Sequence, residues 1–137
     1  MPLLIDPRIT NWQSEGREIG MLAFHPTETA HNWFPYYQLA SNQTFIGVME
    51  LDAICIDMDG SLRVYDHQSQ NRILCPAAAD QQSFVKAVIE LETHFERCVE
   101  DEGVFDDMVV ATIVRDRCAQ MAGGDEYVPF FTSLLGV

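Results

Sequence analysis

The sequence predicts an α+β domain, with an N-terminal antiparallel sheet and C-terminal helices packed against it. Three observations point there. Up to about residue 80, short apolar runs alternate with turn-forming residues. Beyond it, apolar residues recur at spacings of three and four, the period of helices buried on one side. The length of 137 residues with 47% apolar content suits one core, so residues 1–137 are read as a single domain. Residues 1–18 carry no clear periodicity and are expected to be loosely ordered.

The elements follow in chain order. Residues 19–24 (IGMLAF) form an apolar run closed by His25-Pro26 and are expected to be the first strand. Residues 27–31 suit a turn of helix capped by Thr27 or Thr29. Trp33, Phe34, Tyr36 and Tyr37 then cluster around Pro35, which disfavours a long helix. They read as core or rim aromatics, or alternatively as partner anchors, a role for which Trp33 and Tyr36 have suitable side chains. Ser41, Asn42 and Gln43 suggest a turn, and residues 45–50 a strand with a bulge at Gly47. Residues 52–57 (DAICID) and 62–66 (LRVYD) flank Met58-Asp59-Gly60-Ser61, the pattern of a hairpin whose turn uses Gly60. Leu62 and Val64 would face the core, with Arg63 and Tyr65 on the other side. Residues 72–75 suggest one more strand, stopped by Pro76.

Asp80 is placed to cap a helix whose stripe is Phe84, Val88, Leu91, Phe95 and Cys98, reaching about residue 101 and stopped by Gly103. A second helix opens at Asp106-Asp107, carries Met108, Val109, Ala111, Thr112, Cys118 and Met121, and stops at Gly123-Gly124. A third opens near Pro129 and buries Phe130, Phe131, Leu134 and Leu135.

Charge narrows the function. Twenty-one acids face eight bases, a net −13, and Lys86 is the one lysine. Such a chain is ill-suited to nucleic acid or to an anionic membrane, both of which need clustered Lys and Arg. The N-terminal sequence resembles no signal peptide and no apolar run reaches a membrane span, so a cytoplasmic location is expected. Cys55, Cys75, Cys98 and Cys118 are widely spaced and are read as reduced thiols, neither a disulfide framework nor a zinc site. No nucleotide-binding loop, dinucleotide fingerprint or serine-hydrolase motif occurs. His25, His31 and His94 read as surface or hydrogen-bonded residues. Asp57, Asp59 and Asp66 with His67 could gather a cation around the hairpin. However, His67 directly follows Asp66 and would point to the opposite strand face, so neither a metal nor another cofactor is assigned.

Two resemblances bear on residues 47–67. The run A-I-C-I-D-M-D-G-S-L over residues 53–62 resembles the first motif of the haloacid-dehalogenase phosphotransferases. That resemblance would make Asp57 a nucleophile and Asp59 a general acid/base beside Mg²⁺. The chain after Gly60 is short for that doubly wound fold, and a second strand follows the motif, so a hairpin turn is the preferred reading and no catalytic residue is assigned. The second resemblance covers more of the chain. Gly47, Asp52, the apolar strand 53–57, Gly60 and the closing Val64-Tyr65-Asp66-His67 resemble the central signature of the SUKH superfamily, the fold of the Smi/Knr regulators and of many bacterial immunity proteins. Ser83-Phe84 at a helix start and the aromatic run at 33–37 are similar too. Members typically open with a helix, a pattern that residues 1–30 do not display. The resemblance implies a non-catalytic protein that neutralises a toxin, with an adaptor or regulatory domain as the alternative.

Residues 90–107 carry −7 of the −13, with Arg97 as their one base. Glu92, Glu96 and Glu100 fall four apart, forming one helix ridge. Like charges at this spacing cost about 0.2–0.5 kcal/mol per pair. Asp101 adds a further acid where a helix dipole prefers cations. The expectation is an acidic surface made of Glu92, Glu96, Glu100 and Asp101, aided by Asp57, Asp59, Asp66, His67, Trp33 and Tyr36. Its partner would be a basic, nuclease-like toxin drawn in electrostatically and blocked by occlusion of its active site.

Overall fold

The computed structural model describes residues 3–34, 42–69 and 72–137. The chain forms a six-stranded sheet in sequence order, every neighbouring pair antiparallel: β1 (Glu18–Ile19), β2 (Leu22–Phe24), β3 (Gln43–Met49), β4 (Asp52–Asp57), β5 (Leu62–Tyr65) and β6 (Ile73–Ala78). The helices are α1 (Pro7–Glu15), α2 (Ala30–Trp33), α3 (Gln81–Glu100), α4 (Glu102–Phe105), α5 (Met108–Ala122) and α6 (Val128–Leu135). The fold is α+β, as the change of pattern near residue 80 predicts.

Four differences from expectation have local causes. Residues 7–15 are helical, not loose. Asp6 accepts from the Arg8 amide, Pro7 opens the helix, and Gly16 closes it at φ 61°. The helix is short, and Ile9 and Trp12 are its buried apolar residues, so its periodicity is faint. The expected first strand is instead a tight hairpin, β1 and β2, turning at Gly20 (φ 58°). β6 runs through Pro76 because it is an edge strand, where the missing N–H deprives no outer neighbour. Finally, α3 ends at Glu100, in line with the expected reach to about residue 101, but Gly103 is not its stop and lies within α4 instead. The Asp101 side chain accepts from the Gly103 amide and so starts α4.

One face of the sheet carries the main core. Ile54, Ile56, Leu62 and Val64 from the central strands meet Ile9 and Trp12 of α1, Phe84, Val88 and Leu91 of α3, Cys118 and Ala122 of α5, and Phe130 and Phe131 of α6. Asp80 caps α3 by accepting from the Ser83 amide. Aromatic contacts join the elements: Trp12 to Phe24 at 5.1 Å, Phe24 to Phe84 at 6.3 Å, Phe84 to Phe130 at 6.4 Å and Phe130 to Phe131 at 5.0 Å between centroids. Each such pair adds about 0.5–1.5 kcal/mol beyond its burial. His94 is buried, not on the surface, and its Nε2 lies 3.4 Å from the Cys98 thiol, which fits the hydrogen-bonded alternative; its desolvation lowers the imidazole pKa. The opposite sheet face holds a smaller cluster of Phe34, Phe45, Val48, Ala53, Cys55 and Tyr65. Tyr65 is therefore buried too, on the side opposite Leu62 and Val64. The four cysteines are free thiols, and among the described residues no helix is long and apolar enough to cross a membrane.

Gly47 lies at the register shift of β3, as the sequence suggests. A Cβ there would stand 2.3 Å from the Ala23 carbonyl oxygen and 3.0 Å from the Phe24 Cα, both backbone atoms of β2. Gly47→Ala must push β2 away from β3. It is expected to lower the unfolding free energy by about 1–3 kcal/mol in urea denaturation. An unchanged midpoint would show that the two strands are not held this close.

Candidate functional site

The candidate residues fall into three places. The first is the β4–β5 turn. Asp57 lies two residues after Cys55 and so shares its sheet face, away from the main core, yet it is only 6% exposed. Its carboxylate accepts from the Tyr65 hydroxyl at 2.8 and 2.7 Å, and from the Arg63 guanidinium. Asp59 accepts from the Ser61 hydroxyl at 2.6 Å and the Ser61 amide at 2.9 Å, with an Arg63 nitrogen 3.5 Å away. Those Ser61 hydrogen bonds, the hydroxyl above all, hold the Asp59 carboxyl below its ordinary pKa. Gly60 takes φ 87°. The D-M-D-G-S run is thus an Asx turn closing an antiparallel hairpin, with its acids tied to Arg63, Tyr65 and Ser61. β4 runs antiparallel to both its neighbours, β3 and β5, whereas the doubly wound fold of the phosphotransferase resemblance implies parallel ones.

The second place is the far end of the same hairpin. Asp52 and Asp57 are the two ends of β4, about 17 Å apart at 3.3 Å per residue. Asp57 and Asp59 therefore do not share a site with Asp66 and His67. Instead Asp52, which the sequence reading passed over as a ligand, joins Asp66 and His67, with potential ligand atoms within 4.8 Å of one another. Asp52 Oδ1 accepts from the His67 amide at 3.0 Å and lies 2.8 Å from His67 Nδ1. Asp66 Oδ1 accepts from the Gln68 amide at 2.8 Å and is 3.7 Å from His67 Nδ1, while Arg72 reaches Asp66 Oδ2 at 3.4 Å. The expected opposition of Asp66 and His67 fails because β5 ends at Tyr65, and strand alternation ends with it. This set has the donor types for a divalent ion, but hydrogen bonds and the Arg72 cation already account for its closeness.

The third place is the outer end of the α3–α5 hairpin. Glu92 does not belong to a free acidic ridge: Arg17 donates to both its oxygens at 2.9 Å. Glu90 likewise accepts from Arg117 at 2.7 Å. Beyond them, Glu96, Glu100, Asp101, Glu102, Asp106 and Asp107 form no ion pair among the described residues. Asp101 caps α4, and Asp107 caps α5 by accepting from the Val109 and Val110 amides at 2.9 and 3.1 Å. Their charge stays, but their position has a structural reason. The expected core positions Met108 and Val109 are each 69% exposed, and Phe95 and Cys98 are only partly buried. From residue 95 to residue 113, no residue is buried. His94 is the last buried residue of α3 and Val114 the first of α5, with Phe95 and Val110 packed on the core only in part.

Of the aromatic candidates, Phe34 packs edge-on to Phe45 at 5.9 Å, while Trp33 is 41% exposed and stacks on His25 at 4.4 Å. Tyr36 and Tyr37 lie outside the described residues. The Asp57 cluster tests by stability. Tyr65→Phe is expected to cost about 1 kcal/mol and Arg63→Met about 1–3 kcal/mol, because each leaves a largely buried carboxylate short of a partner. Thermal melts that matched the parent for both variants would show that Asp57 does not depend on them. Comparison with known proteins returns no matching family model, no similar curated protein and no similar solved structure.

Proposed function

We propose that the chain is a non-catalytic protein-binding module, an immunity-type protein of the SUKH kind. It would act in the cytoplasm, neutralising a basic, nuclease-like toxin by occluding its active site. The observation that carries this reading is the outer end of the α3–α5 hairpin, where six acids have no ion-pair partner among the described residues. An isolated acid on a surface needs no explanation. Six within twelve residues (96–107) repel one another at a measurable cost and create a field that attracts a cation-rich surface. A nuclease cleft is such a surface, because it is built to hold phosphates.

Two further observations support the reading. The residues that resemble the SUKH signature act on one another: Asp52 holds the amide and lies against the ring of His67, and Gly47 lets β2 approach β3. α1 supplies an opening helix of the kind that superfamily members have. The phosphotransferase alternative would require Asp57 to be free to attack phosphorus, whereas both its oxygens are engaged by Tyr65 and Arg63. A regulatory or adaptor domain with another partner would use the same surface.

The test is the product of the gene beside this one, purified and assayed for nuclease activity. The protein is expected to inhibit it stoichiometrically. Glu96→Lys with Glu100→Lys should weaken the complex at least about tenfold at low salt and distinctly less at high salt, where charges are screened. Glu92→Lys is not a clean probe, since it also breaks the contact with Arg17. Neighbouring products that neither bind nor are inhibited would overturn the immunity reading and leave the adaptor. Mg²⁺-dependent phosphatase activity lost in Asp57→Asn would replace both.

A further inference from the structure

The acids at the outer end of α3–α5 are interleaved along the chain with apolar side chains that the fold leaves uncovered. Val99 is 88% exposed, Phe105 71%, and Met108 and Val109 69% each. These four large apolar residues fall within eleven positions, on the last turn of α3, the end of α4 and the first turn of α5, and α4 packs against both longer helices. Scattered exposed apolar residues are ordinary in a folded protein. Several converging at one end of a helical hairpin, within a stretch that buries none of its own residues, form the kind of patch that marks an interaction surface.

We infer that Val99, Phe105, Met108 and Val109 form an apolar docking patch, and that its occupant is a cationic, amphipathic segment of a partner protein. This rests on the reading of the chain as a binder of basic proteins, and adds that apolar burial, not charge alone, holds the complex. Charge selects the occupant. A second copy of this chain would bring Glu96, Glu100, Asp101, Glu102, Asp106 and Asp107 against the same six acids. An anionic lipid surface is repelled for the same reason. A segment with lysine or arginine around leucine-like side chains pairs with the acids while covering the apolar centre. That arrangement matches the dry centre and polar rim of a specific interface. Phe105 and Met108 supply the adaptable apolar contacts, Met108 through its flexible thioether.

The experiment uses the full chain and two labelled peptides of about 18 residues, read by fluorescence anisotropy. One is an amphipathic helix of lysine and leucine. The other has the same charge, with serine in place of leucine. The leucine peptide is expected to bind at least about tenfold tighter, as burial of one or two apolar side chains requires. Phe105→Ser with Met108→Ser should erase that preference while leaving weak, salt-sensitive binding of both peptides. Both positions are exposed, so the variant is expected to keep the parent melting temperature, which is measured alongside. Equal affinity for the two peptides, or a preference that survives the double variant, overturns the patch. Glu96→Lys with Glu100→Lys should weaken both peptides. If it does not while the leucine preference holds, the charge-based reading fails separately from the patch. Concentration-dependent dimers abolished by Phe105→Ser would assign the face to a second copy and also overturn the proposal.

Discussion

A line of aromatic rings holds this protein together. Trp12 of α1 meets Phe24 of β2, which meets Phe84 of α3, which meets Phe130 of α6. Through these contacts, one face of the sheet gathers helices from both ends of the chain. The seam is finite. Full burial along α3 ends at His94 and begins again on α5 at Val114, with Phe95 and Val110 covered only in part. Between those two points, residues 95–113 lie at the edge of the core, and none of them is buried. Val99, Phe105, Met108 and Val109 fall in that stretch and stand exposed. The acids there form no ion pair among the described residues, whereas Glu92 and Glu90, earlier on α3, are paired with Arg17 and Arg117.

Much of the fold was legible, because its signals are local. The Asp-Gly turn between two alternating strands announces the β4–β5 hairpin, and Asp80, Asp107 and Gly123 mark helix ends by side chains or conformations that act within a few residues. What was illegible depends on distant chain. Arg17 and Glu92 are 75 residues apart, so the pairing that removes Glu92 from the ridge leaves no mark in the local sequence. Pro76 reads as a strand breaker unless β6 is known to be an edge. Helix α1 has too few inward residues to show a period. Met108 and Val109 match a buried stripe, since an apolar residue at helical spacing looks the same whether a core or a future partner covers it.

The two ends of the β4–β5 hairpin show how one motif supports different chemistries on paper and one role in the fold. A D-x-D-G-S run can be read as a nucleophile and its acid partner. In an antiparallel hairpin the same residues build a turn, with Arg63 neutralising both acids and Tyr65 sealing Asp57 from water. At the other end, Asp52 fixes His67 by its amide and meets its ring, holding the chain where it leaves β5. Both clusters spend their polar groups on the fold. The end of the α3–α5 hairpin has polar and apolar groups to spare, and it is there that a partner has something to gain.

The most direct measurement of this account is hydrogen–deuterium exchange on the free chain and on its complex with the basic protein it binds. In the free chain, amides of residues 95–113 should exchange faster than those of residues 84–91, which lie under the aromatic seam. In the complex, protection should rise across 95–113 and stay unchanged at Asp57, Arg63 and Tyr65. Protection gained at the β4–β5 hairpin instead, with residues 95–113 exchanging as before, would contradict the assignment of the binding surface.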